Sequence, residues 1–105
     1  MTINLVIADQ GKYIMDPLNK NLVSLAVEKA LLEMGKIELK MVESKLTNEY
    51  QIKIDECMEN PTCLKQILQE MFGNAYTDIL KSIENSFEKL TLDEEMTNFI
   101  TVLRN

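Results

Sequence analysis

Two cysteines, Cys57 and Cys63, are the most nucleophilic side chains of this 105-residue sequence, and five residues separate them. Two thiols could form a redox pair, or supply half of a four-thiolate metal site that a second chain completes. The spacing matches no common redox or zinc motif, since C-x-x-C would be typical of both. Free cysteine is also among the most buried residue types. We therefore predict that both thiols are reduced and pack in a corner between helices.

Two clusters of acidic residues could carry acid–base chemistry: Asp55 with Glu56 and Glu59, and the run of acids at 93–95. Paired carboxylates act in this way when a cleft raises one of their pKa values. Both clusters lie where a helix is predicted to begin, and the helix dipole stabilises negative charge there. Neither cluster has the alternating spacing of a calcium loop. The sequence therefore favours a helix-end role over catalysis for these acids.

Several kinds of site are missing from the composition. The sequence has no histidine, which excludes imidazole catalysis and zinc sites with nitrogen ligands. Its three glycines are isolated, so the sequence has no glycine-rich phosphate loop. We expect no catalytic residues, no metal and no cofactor in this chain.

The charge is unevenly distributed along the sequence. Residues 1–54 carry seven lysines and seven acids, whereas residues 55–105 hold the entire net charge of −6. A surface that binds nucleic acid or an anionic membrane would be expected to be basic. The sequence also has no run of about 18 apolar residues and no basic region at its N-terminus. We predict a cytoplasmic protein that binds neither nucleic acid nor membrane.

Apolar residues recur with helical spacing over most of the chain and predict an all-α fold. Asp16 before Pro17 and Asn60 before Pro61 are typical helix starts, and Gly35 and Gly73 are typical helix ends. The acids of the second cluster follow Thr91 in a capping-box pattern. The pattern indicates one domain over residues 1–105, an orthogonal or bundle-like arrangement of about five helices: 17–34, 36–48, 61–72, 75–90 and 92–103.

Residues 1–16 form an extension before this helical core at 17–105. Ile3, Leu5 and Ile7 alternate with other residues and are followed by a turn pattern at 9–12. A short N-terminal β-hairpin is one interpretation, and it would need a helix or a second copy for support.

The middle of the chain resembles the Nitrosopumilus output domain family of archaeal signalling proteins. The similar stretch covers about residues 25–90 and includes four runs: ALLEMG at 30–35, VESKL at 42–46 with Tyr50, DECMENP at 55–61 and LKQILQEMFGN at 64–74. The resemblance implies a small helical module, often placed after sensory domains, with no catalytic motif and an unknown signalling partner. Here about 20 residues precede the similar stretch.

The 18–34 helix is apolar on more sides than the core of one small domain requires. The candidate interface comprises the side chains that point away from Val23, Val27, Ala30 and Met34, namely Leu22, Leu25, Ala26 and Leu32. Large exposed apolar patches usually mark interfaces, and symmetric pairing commonly covers them. We predict a homodimer and a non-catalytic protein-interaction module. The alternative is a small ligand-binding protein or enzyme that uses buried carboxylates or thiols.

Overall fold

Five α-helices make up most of the chain that the computed structural model describes, residues 17–88 and 94–105. In these ranges no strand is present, and the predicted all-α single domain is confirmed. The interpretation of residues 2–15 as a hairpin lies outside the described residues. The helices are α1 (Pro17–Met34), α2 (Lys36–Tyr50), α3 (Pro61–Phe72), α4 (Tyr76–Phe87) and α5 (Glu94–Arg104), with 3-10 turns at Ile54–Glu56 and Gly73–Ala75.

A single residue, Gly35, separates α1 from α2. Its φ of 148° and ψ of 155° belong to a region that only glycine adopts without strain. The Gly35 amide donates to the Leu31 carbonyl, and the Gly35 carbonyl accepts the Leu39 amide. The glycine therefore completes one helix and begins the next, which explains why the two helices need no longer connection.

Gln51 ends α2 in the left-handed conformation, with φ of 57° and ψ of 38°. The Gln51 amide donates to the Thr47 carbonyl at 3.0 Å, and the Ile52 amide donates to the Leu46 carbonyl at 3.3 Å. These bonds satisfy carbonyls that the helix end would leave open. Glycine normally occupies such a left-handed position. Because Gln51 has a Cβ atom, its backbone is strained there.

α1 is the central helix, because it packs against α2, α4, α5 and the first 3-10 turn. Its buried residues include Val23, Val27 and Leu31, all fully buried. Each other helix contributes one apolar stripe to the same core, as the spacing predicts: Val42 and Leu46 of α2, Leu64, Ile67 and Leu68 of α3, Ile79 and Ile83 of α4, and Met96, Phe99 and Leu103 of α5.

Side-chain hydrogen bonds join the ends of the helices around this core. The Tyr76 hydroxyl, at the start of α4, donates to the Leu103 carbonyl of α5 at 2.5 Å. Burial raises the pKa of Tyr76 to about 12. Carbonyls in the last turn of a helix have no partner within the helix. The tyrosine supplies such a partner and fixes the end of α5 against α4.

We expect Gln51→Gly to raise the free energy of unfolding by about 0.5–1 kcal/mol, because glycine relieves the left-handed strain and this exceeds its entropic cost. Gln66→Gly, at an exposed position within α3, is the control and should lower the same quantity by a similar amount. Urea denaturation measures both changes. Equal destabilisation by the two variants would contradict the prediction.

We expect Tyr76→Phe to lower the free energy of unfolding at pH 7 by about 1 kcal/mol, since it removes a buried hydrogen bond. The raised pKa means that the folded state favours the protonated hydroxyl. Tyr76 therefore stabilises the fold fully below pH 10.0, its ordinary pKa, and loses this contribution as the pH rises toward 12.

Between pH 10.0 and about 12, the free energy of unfolding of Tyr76→Phe should therefore fall less than that of the parent protein. Tyr50→Phe, at a half-exposed tyrosine of α2, is the control and should change stability at pH 7 by less than about 0.5 kcal/mol. Chemical denaturation at several pH values is the measurement. Unchanged stability of the Tyr76 variant at pH 7 would count against the bond.

Candidate protein interface on α1

The central helix has a second apolar stripe that faces away from the core. Leu18, Leu25 and Leu32 are 63%, 61% and 49% exposed, although α1 is otherwise the most enclosed helix. They occur at intervals of seven residues. Seven residues bring an α-helix back to nearly the same direction, with a drift of about 20°. The three side chains therefore form one row along the helix, which we call the leucine face.

The residues of the predicted interface differ in exposure, and one of them is buried. Leu25 and Leu32 are exposed as expected. Leu22 is only half-buried and packs against the edge of the core. The expectation for Ala26 is wrong, because it is 5% exposed. Because α1 is covered on several sides, the buried part of its circumference includes Ala26, which points about 100° away from Leu25.

Met34 departs from the expected inward set, because it is 38% exposed. It is the last residue of α1. Ile37 and Met41, which are 70% and 51% exposed on α2, were not included in the predicted interface. They are four residues apart and lie off the inward stripe of Val42 and Leu46. This spacing was a usable sign of a second apolar row on α2.

The charges of α1 and α2 balance each other. Together α1 and α2 carry five lysines and five glutamates. Asn21 and Lys29 are exposed beside the leucine face, and Glu28 is half-buried there. Lys45 and Glu49 of α2 form an ion pair at 2.8 Å. Taken together, α1 and α2 therefore carry no net charge, whereas the net charge of −6 belongs to residues 55–105.

The first acidic cluster closes a helix end, as its position predicts. Glu56 accepts a hydrogen bond from the Lys53 amide at 2.8 Å, and the Asn60 amide group donates to the Glu56 carbonyl at 3.0 Å. Glu59 forms an ion pair with Lys20 of α1 at 3.2 Å. Asp55 and Glu59 are exposed and Glu56 is half-buried. The cluster therefore joins α1 to the turn before α3 and has no buried carboxylate.

Of the second cluster, the described residues are Glu94 and Glu95. Glu95 accepts a hydrogen bond from the Asn19 side chain at 2.8 Å, which joins the starts of α1 and α5. Both glutamates line a surface pocket of about 420 Å³ next to the start of α3. The buried Phe99 and Met58 contribute apolar surface to it. The full lining is Met58, Glu59, Pro61, Glu94, Glu95, Asn98, Phe99 and Val102.

The two thiols are free and differ in exposure. Cys57 is fully buried and Cys63 is half-buried. Burial raises the pKa of the Cys57 thiol to about 12. A thiol reacts as its thiolate, so this environment suppresses the reactivity of Cys57 near neutral pH. The surroundings of Cys57 therefore fit the predicted packing role.

Two further observations concern the described ranges only. Nowhere in residues 17–88 and 94–105 do three acidic or cysteine side chains approach closely enough to hold a metal ion. No helix within these ranges is long and apolar enough to cross a membrane.

Comparison with protein-family models, with curated proteins and with solved structures finds no match to this chain.

We expect iodoacetamide at pH 8 to leave Cys57 unmodified in the folded protein and to modify Cys63, because only Cys63 is partly exposed and Cys57 lacks the thiolate form. Mass spectrometry of digested protein measures both sites. Unfolded protein is the control, and both thiols should react in it. Equal rates at the two sites in folded protein would contradict the structural role of Cys57.

Proposed function

We propose that this protein is a non-catalytic protein-interaction module that forms a homodimer through the leucine face of α1. The observation that carries this proposal is the exposure of Leu25 and Leu32, 61% and 49%, on the helix that is otherwise most enclosed. Burying a leucine side chain completely stabilises by about 1.5–3 kcal/mol. A partner bound to this face would bury the exposed part of these leucine side chains, and that burial would stabilise the complex.

A second copy of this chain suits the face by charge. The balance of lysines and glutamates on α1 and α2 lets two such surfaces meet without net repulsion. The half of the chain at 55–105 is net negative, so two copies that met there would repel each other. A self-complementary patch closes as a two-fold dimer and leaves no open surface for further growth.

The size of the leucine face limits the strength of this contact. A standard stable interface buries about 800 Å² on each partner. Three leucines cover only a part of such an area, so their polar neighbours, Asn21 and Lys29, must also lie within the contact. We therefore propose a reversible dimer with a dissociation constant in the micromolar range.

The resemblance to archaeal output domains supports a role for this dimer in signal transduction. In that role the module would associate with itself and with a further signalling protein in the cytoplasm, and would catalyse no reaction. The resemblance begins at about residue 25 and so includes the second half of α1, which carries Leu25 and Leu32 of the leucine face.

Ligand binding is the second candidate function, and the pocket beside α3 and α5 is the observation that favours it. Its apolar floor and the carboxylates of Glu59, Glu94 and Glu95 suit a small amine with an apolar group. An enzyme with buried carboxylates is less well supported, because Glu59 and Glu94 are exposed. Titration with phenethylamine, followed by NMR of the Phe99 and Val102 signals, would test this candidate.

We expect sedimentation of the parent protein at about 100 µM to show a concentration-dependent dimer, as a micromolar contact requires. Leu25→Asp should shift the protein to monomer while preserving its helical circular dichroism, because the aspartate would be buried without a partner in the contact. Met41→Asp is the matched control, since Met41 is also an exposed apolar helical residue but lies on α2. It should leave the dimer intact.

A parent protein that remains a strict monomer at this concentration would overturn the proposed dimer. A monomeric Met41→Asp variant would move the contact away from the leucine face.

A further inference from the structure

Given the proposed dimer, on which this inference rests, we infer that its two copies of α1 pack antiparallel, with Leu25 facing Leu25 of the second copy. Leu25 lies at the middle of α1, which spans Pro17–Met34. Leu18 and Leu32 lie seven residues to either side of it, about 10.5 Å along the axis. The leucine face is therefore symmetric about its central residue, and an antiparallel pair brings each Leu18 level with Leu32 of the other copy.

The side chains that flank the leucine face suit this arrangement. With about 100° per residue, Asn21 and Glu28 lie along one edge of the row, and Leu22 and Lys29 lie along the other. A two-fold axis between antiparallel helices keeps each edge against the same edge of the second copy. The Asn21 amide can then donate to the Glu28 carboxylate, and Leu22 can pack against the methylene groups of Lys29.

A parallel pair would bring opposite edges together. Lys29 would then approach Glu28, but an exposed ion pair of this kind contributes only about 0–1 kcal/mol. The half-buried Leu22 would lie against the polar side chain of Asn21. The two helices would also bring their like partial charges together at each end, whereas an antiparallel pair places opposite charges together. The apolar match and the helix dipoles both favour the antiparallel pair.

Disulfide trapping of the full-length protein tests the orientation. Cys63→Ser removes the partly exposed thiol, while Cys57 is buried and remains. Leu18→Cys, Leu25→Cys and Leu32→Cys are introduced singly into this background and oxidised. A disulfide needs Cα atoms within about 7 Å. In an antiparallel pair, residue 18 of one copy lies beside residue 32 of the other. Positions 18 and 32 are fourteen steps apart along the helix, so the Cα atoms of the two copies of residue 18 are about 21 Å apart along the axis.

We expect Leu25→Cys to form a covalent dimer readily, and an equimolar mixture of Leu18→Cys with Leu32→Cys to form the mixed dimer. Each of these two variants alone should crosslink at least tenfold more slowly than Leu25→Cys. Met41→Cys is the control for random collision and should be equally slow.

The outcomes separate the orientation from the dimer itself. Fast crosslinking of Leu18→Cys alone and of Leu32→Cys alone would show a parallel pair and overturn this inference, while the proposed dimer would stand. If the parent protein sediments as a dimer but Leu25→Cys crosslinks no faster than Met41→Cys, the contact lies away from the leucine face, and this inference is overturned together with the proposed interface. A monomeric parent protein would remove the proposed dimer and the orientation together.

Discussion

The burial of α1 is the constraint on which the rest of the structure depends. This helix contacts α2, α4, α5 and the first 3-10 turn, and each of those elements turns apolar side chains toward the common core. A domain of this size has few interior positions, so one helix that is covered on several sides uses most of them. The remaining helices are thereby assigned to the surface.

The connections follow from this central position. Gly35 allows α2 to begin immediately after α1, because its backbone adopts a conformation closed to other residues. Polar contacts then hold the distant parts of the chain against α1: Lys20 pairs with Glu59, Asn19 donates to Glu95, and the Ser82 hydroxyl donates to Glu33 at 2.6 Å. Most of these groups are partly exposed, so each contributes little to stability by itself. Their value is positional, since they fix which helix ends meet.

The packing around α1 also explains why few side chains in the described part of the chain have unusual reactivity. Cys57 lies in the apolar core, where burial raises the pKa of its thiol to about 12. The carboxylates of the described clusters lie at helix ends and around an open pocket, where water or nearby cations and amides stabilise their charge. Packing within the described residues leaves two exposed apolar rows uncovered, the leucine face of α1 and the pair Ile37 and Met41 of α2. The exposure of the leucine face is the observation on which the proposed dimer rests.

The sequence by itself determined the fold class, because helical spacing, proline at helix starts and glycine at helix ends are local properties. It also determined that α1 had apolar residues on more sides than one contact could bury. It did not determine which of those residues would be covered. Leu25 and Ala26 are neighbours with similar apolar character, yet one is exposed and the other is buried. Which of the two is buried depends on the angles at which α2, α4 and α5 pack against α1. Those angles are set by the packing of all five helices together. The same reason applies to Ile37 and Met41: their spacing indicates a second apolar row on α2, but whether that row is covered depends on the direction in which α2 leaves Gly35.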